Sequence, residues 1–254
     1  MTARPPSAAL PGEYAPRAPE DLHYATLYER TVDRQRVQAL FRLKELLDAV
    51  PLEVSDPGVA GVKLAWWREE IERLAHGQPR HPLTTWLHAA EGPNGGSALA
   101  PYLGLLLERV QTPAPPPLDV LAPRLEQALA PLLAHYLTSK ALDPAGASAL
   151  CRPLATAQLS WELLRSGISV RSGCRLVPGT GTGPEPAALA ETLSAQLEAV
   201  PRGVRRRAGT PVTLARITRF NLSEAGSAER LRYERPEPAP LVKLGIALRT
   251  RLRG

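Results

Sequence analysis

The chain has 254 residues and a formal net charge of +6, with 44% hydrophobic and 22% charged side chains. That is enough apolar material for a core and too much for a disordered chain, and it excludes collagen, coiled-coil and disulfide-scaffold classes. The two cysteines, Cys151 and Cys174, have no Cys-x-x-Cys spacing, which argues against a structural zinc site and fits a reduced cytoplasm.

Residues 1–20 are rich in Pro and Ala without an apolar period and read as a disordered N-terminal segment. From Asp21 to Val50, Leu27, Val37, Leu40, Leu43 and Leu47 recur near the helical period and predict one or two helices. Pro51, which lacks an N–H, is expected to stop them. The next helix opens with Ser55 or Asp56 as N-cap and Pro57 at its first position, and Gly77 marks its end. Leu64, Trp67, Ile71 and Leu74 form its apolar stripe, widened by Val59, Val62 and Trp66, with a Glu69–Arg73 pair on the wet face.

A short helix follows from His81-Pro82 to Ala90, and Glu91-Gly-Pro-Asn-Gly-Gly reads as a loop. Residues 99–110, Leu118–Ala141, Ala145–Ser166, Ala187–Val200, Leu214–Leu222 and Leu241–Leu252 complete the helical candidates. No segment alternates as a strand does, so the class is all-α, a single helical domain over 21–254. No run approaches the 18 or so apolar residues of a membrane span, and the start lacks the apolar stretch of a signal peptide.

Charge is uneven. The segment 201–254 holds 13 Arg and Lys against four Glu, a basic C-terminal tail where an anionic partner would be sought. Within it, Leu241, Leu244, Ile246, Leu248 and Leu252 stand among Lys243, Arg249, Arg251 and Arg253. These apolar residues do not read as one clean stripe. They either pack on the domain or hold the tail against an anionic bilayer, which would put a cytoplasmic protein at the inner membrane face. Nucleic-acid binding through Arg202, Arg205, Arg206 and Arg207 is a weaker alternative, because few aromatics interleave them and no DNA-reading motif is present.

The Gly-rich run Gly179-Thr-Gly-Thr-Gly lacks the Lys-Ser/Thr of a phosphate loop, and the five histidines have no metal spacing. The informative motif is Lys63-Leu-Ala-Trp-Trp-Arg-Glu-Glu-Ile-Glu-Arg-Leu74 with His81-Pro82 after it. Ala39-Leu-Phe41 and Val54-Ser-Asp-Pro57 precede it. Gln158-Leu-Ser160, Gly173-x-Arg-Leu-Val-Pro178 and Arg235-Pro-Glu-Pro-x-Pro-Leu-Val-Lys-Leu244 follow in order. Together they resemble the squalene/phytoene synthase family over most of Asp21–Gly254.

The resemblance implies an isoprenoid-synthase-like helical bundle around a central cavity. In active members, two acidic helices hold Mg2+ against the diphosphate of an isoprenyl substrate. A hard divalent cation needs several oxygen ligands, and it neutralises the leaving group as charge develops. This sequence departs from that pattern. Asp48 has Leu52 rather than an acid four residues on, Glu53 lies about 140° away around an ideal helix, and Glu45 stands where an Arg is usual. The second motif, near Arg165–Arg171, carries no acid. These departures resemble a divergent branch that includes assembly factors for respiratory complex I.

Two readings of the resemblance follow. One is a pseudoenzyme that binds an isoprenoid-like apolar ligand or a protein partner. The other is an active Mg2+-dependent head-to-head prenyltransferase of terpenoid chemistry, using an isoprenyl diphosphate. It would use Asp48, Glu53 and Glu162 as metal ligands and Arg68, Arg165 and Arg175 to hold diphosphate; the same acids otherwise read as ordinary helix-surface residues.

Overall fold

The structure is a computed structural model that describes residues 9–112, 114–138, 140, 142–166, 185–226 and 237–254. Among these every regular element is a helix. In chain order they are α1 (Asp21–Ala25), α2 (Thr31–Glu53), α3 (Pro57–Ala75), α4 (Pro82–Glu91), α5 (Asn94–Ser97) and α6 (Ala100–Gln111). They continue as α7 (Leu118–Thr138), α8 (Pro144–Ser166), α9 (Pro186–Ala199), α10 (Arg202–Arg207), α11 (Gly209–Ala225) and α12 (Pro240–Arg253). Helices α7 and α8 pack side by side, α11 lies against both α8 and α9, and α3 lies against α6. Helix α2 contributes Val37, Leu40, Leu43 and Leu47 to the large hydrophobic core. None of these helices is long and apolar enough to cross a membrane.

Helix α3 follows its sequence signals at both ends. The Asp56 carboxylate accepts the Val59 N–H at 3.0 Å, and Gly77 adopts φ +74°, the left-handed conformation that closes a helix at low cost for glycine. Leu64, Trp67, Ile71 and Leu74 are buried as expected, but Val59, Val62 and Trp66 are exposed. The stripe is narrower than the sequence suggests because the helices packed on α3, which are α2, α4, α5 and α6, leave Val59, Val62 and Trp66 uncovered.

Three other expectations are corrected. Pro51 does not end α2, which runs on to Glu53; the helix is held there because Val50, Pro51 and Leu52 are all buried, and the Val54 N–H still reaches the Val50 carbonyl at 3.1 Å. The Glu91–Gly96 run is not all loop, since Asn94–Ser97 forms α5 and brings Gly96 against Leu74 and Ile71, where a β-carbon would collide. Residues 9–20 of the N-terminal segment pack against the domain. Leu10 is buried, and Arg42 donates to the Tyr14 carbonyl at 3.2 Å and pairs with Glu20.

The Trp-Trp motif has a structural task. Glu70 is fully buried, and its Oε1 accepts the Arg80 and His81 N–H groups, each at 2.8 Å, together with the Thr84 hydroxyl. Arg73 Nε donates to Oε2 at 2.9 Å, so the principal partner of Arg73 is Glu70 rather than Glu69. This ties the turn after α3 to the start of α4. His81 caps α4 by accepting the Leu83 N–H on Nδ1, which puts its ring proton on Nε2, facing the Tyr14 hydroxyl at 3.4 Å. The imidazole lies against the Trp67 ring at 4.8 Å.

Burial acts to raise the Glu70 pKa, but the bonds from Thr84, His81, Arg80 and Arg73 outweigh it and hold the carboxyl below its usual range. A depressed carboxyl stabilises the fold above its unfolded pKa, and that contribution is lost as pH falls through the lower, folded value. Glu70→Gln is therefore expected to cost about 1.5–3 kcal/mol at pH 7, with the gap to the native protein closing below about pH 4.5. Thermal melts from pH 3 to 8 check this; a gap that is constant with pH would refute it.

Candidate functional site

A cavity of about 470 Å³ lies between α2, α7, α8 and α11. Phe41, Leu132, Leu133, Leu154, Ala157 and Leu214 form an apolar part of its wall, and charged side chains line much of the rest, Glu20, Asp21, Arg42, Glu237 and Lys243 among them. The apolar part follows from the periodicity, because α7 and α8 each turn a leucine-rich face inward. Trp161 and Arg165 line it from α8, with the guanidinium stacked over the indole at 4.7 Å.

One side of the cavity is polar. Lys44 and Asp48, one turn apart on α2, are paired at 2.7 Å. Lys44 also donates to the Gln158 carbonyl oxygen at 2.6 Å, and the Tyr102 hydroxyl of α6 donates to the second oxygen of Asp48. Gln158 donates in turn to the Tyr102 oxygen and to Glu162, each at 3.0 Å. Behind it, Arg109 grips Glu162 through both terminal nitrogens, at 3.2 and 2.6 Å. Six side chains from three helices thus form one network in which two acids are matched by two bases.

Its electrostatics follow from burial. Desolvation pushes the Asp48 carboxyl above the usual range, against the pull of Lys44 and Tyr102, and Glu162 adds to the rise. Desolvation and the Asp48 charge raise the Tyr102 phenol well above its ordinary value. Burial works against the charge on Arg109, but Glu162 overcomes it and keeps the guanidinium protonated. Toward the opening, Glu45 pairs with Arg42 at 2.7 Å and keeps 35% of its side chain open to the cavity. The enclosing protein nonetheless pushes its pKa to about 7, with Asp48 adding to the rise and Arg42 opposing it.

The residues expected to hold metal are placed differently from one another. Asp48 faces the cavity, Glu162 lies in the network behind it, and Glu53 is exposed at the cavity margin. Among the described residues no group of three or more His, Cys, Asp or Glu side chains is placed to hold a metal ion. Mg2+ needs several oxygens with lone pairs free, and here each buried carboxylate already faces a cation. The donor set does not fit the metal. Of the arginines expected to hold diphosphate, Arg165 lines the cavity and Arg68 is exposed on α3, outside the cavity lining. Arg175 and the rest of the second motif lie outside the described residues.

No family model matches the chain, and no curated protein or solved structure matches it either. The cavity and its network are therefore the basis of the functional reading. Lys44, Tyr102 and Arg109 were not singled out in the sequence. Lys44–Asp48 and Gln158–Glu162 were visible as i,i+4 pairs, and Arg109 lies three residues after Leu106 and seven after Tyr102, on the buried face of α6. A charge on such a face demands a buried partner.

Proposed function

We propose that this chain is a non-catalytic relative of the squalene/phytoene synthases whose central cavity binds an apolar, isoprenoid-like molecule. The observation that carries this reading is the internal pairing of Asp48 with Lys44 and of Glu162 with Arg109. Side-chain cations stand where metal-dependent chemistry would need free carboxylates, so the network closes one side of the cavity instead of ionising a diphosphate. The leucine-rich wall supports an apolar guest, and the volume lies within the range of small-molecule sites. A ligand of this kind resides in bilayers, which puts its source at a membrane surface.

Titration with farnesol or geranylgeraniol is expected to change Trp161 fluorescence saturably, because that indole lines the cavity. Ala157→Phe, which fills the wall, is expected to weaken binding at least about tenfold, since an overfilled apolar site must be strained to admit the guest. With farnesyl diphosphate and Mg2+, pyrophosphate release should stay at background. Steady turnover abolished by Asp48→Asn would overturn the proposal in favour of a prenyltransferase, and absence of alcohol binding in the native protein would overturn it in favour of a protein-binding role.

A further inference from the structure

Helix α12 is docked by one face. Lys243, Ala247 and Thr250 are buried. Lys243 is held by Asp21 at 2.7 Å, Glu237 at 3.2 Å and the Pro19 carbonyl at 2.7 Å. Arg216 of α11 donates to the Thr250 hydroxyl at 2.9 Å and to the Gly254 carbonyl at 2.8 Å. Lys243 is thus buried rather than a surface cation, and of the leucines Leu241 and Leu252 stand clear of the domain while Leu244 and Leu248 are 37% and 43% exposed.

The outward face carries Leu241, Leu244, Leu248 and Leu252, all exposed, with Leu241 80% and Leu252 62% open. At 100° per residue these four fall within about 80° of arc, a single stripe, from which Ile246 is excluded. The exposed Arg249 and Arg251 border that stripe on its two sides, with exposed Arg253 beyond Arg249. A concavity between α10 and α12 adjoins the Arg251 side and adds Arg30 and Arg206, both exposed. Its one acid, Glu29, is engaged by Lys140 and by the Tyr136 hydroxyl at 2.7 Å. Burial first, and then the charges of Arg205, Arg249 and Arg219, lower the Arg216 pKa to about 10.

We propose that the outer face of α12 is a docking surface for an anionic lipid bilayer, with the leucine stripe entering the acyl boundary and the flanking arginines meeting the headgroups. Charge complementarity selects this occupant. The stripe is bordered by cations alone, the pattern of a helix lying in the surface of an anionic bilayer with its apolar side chains below the headgroups and its basic ones among them. Nucleic acid would satisfy the arginines but offers no apolar phase to the leucines. The other exposed apolar row, Val59, Val62 and Trp66 on α3, lies beside both Lys63 and Glu69 and lacks that one-signed border. The inference stands apart from what the central cavity holds, and the test does not depend on it.

Sedimentation of the full chain with phosphatidylcholine vesicles, with and without 30% phosphatidylglycerol, tests the surface. We expect at least about tenfold stronger partition onto the anionic vesicles in 50 mM salt, weakening in 500 mM, since each basic residue near the surface contributes roughly fivefold. Leu241→Ser/Leu248→Ser/Leu252→Ser should lose binding even at low salt while melting like the native protein, because these side chains are exposed in the fold. Arg249→Glu/Arg251→Glu tests the same face without touching a leucine and should lose the preference for anionic lipid. Val62→Ser should bind as native. Absence of binding to anionic vesicles at low salt, native-like binding by the triple serine variant, or equal partition onto both vesicle types would overturn the proposal. So would a native dimer, seen by light scattering, that the triple serine variant abolishes, since a second copy would then occupy the stripe.

Discussion

Arg109→Leu is expected to destabilise the protein by about 3–5 kcal/mol, because it leaves Glu162 buried without its cation. Both side chains are almost fully enclosed, and the pair is gripped in two places. With the guanidinium gone, Glu162 keeps only the Gln158 amide. Adding Glu162→Gln removes the stranded charge and should recover most of the loss. Denaturant melts of the single and double variants decide the matter. A single variant within about 1 kcal/mol of native would mean that the pair is hydrated and the network does not close the cavity.

Trp67→Ala is expected to cost about 3–5 kcal/mol, the usual range for truncating a buried indole. Trp67 is in the core and also forms the surface on which His81 rests at 4.8 Å. Its loss therefore opens a cavity beside α3 and removes a support of the His81-Pro82 turn. Trp66 contacts the same two rings, at 5.1 and 6.2 Å, but is 43% exposed. Trp66→Ala should cost no more than about 1.5 kcal/mol, the scale of an aromatic contact without full burial. The pair of melting curves separates the two tryptophans, and equal losses would refute the inward assignment of Trp67 alone.

The polar site and the fold differ in how far a linear reading reaches them. Helix α3 is legible from end to end, since an Asp cap, a first-position Pro, a closing Gly and a stripe at helical spacing are all local signals. Asp48 and Glu162 were identifiable as acids within helices, and their i,i+4 neighbours Lys44 and Gln158 hinted at pairing. What each acid does was not legible. The partner of Glu162 is Arg109, 53 residues away, and a contact of that range exists only once α6 and α8 are packed.

Pro51 was misread because a missing N–H is a local cost, whereas the burial of Val50 and Leu52 that outweighs it comes from the whole core. Glu70 was passed over for Glu69 because helical spacing fixes which side chains are neighbours on α3 but not that the chain returns at Arg80 and His81 to donate their N–H groups. By itself the sequence determined the helical class, most helix limits, the placing of Asp48 and Glu162 on helices and the basic tail, all properties of composition and near-neighbour spacing. Tertiary structure alone decided which stripe on α3 and which face of α12 is core. A period names the residues that share a face, and only the arrival of a neighbouring helix determines whether that face leaves water.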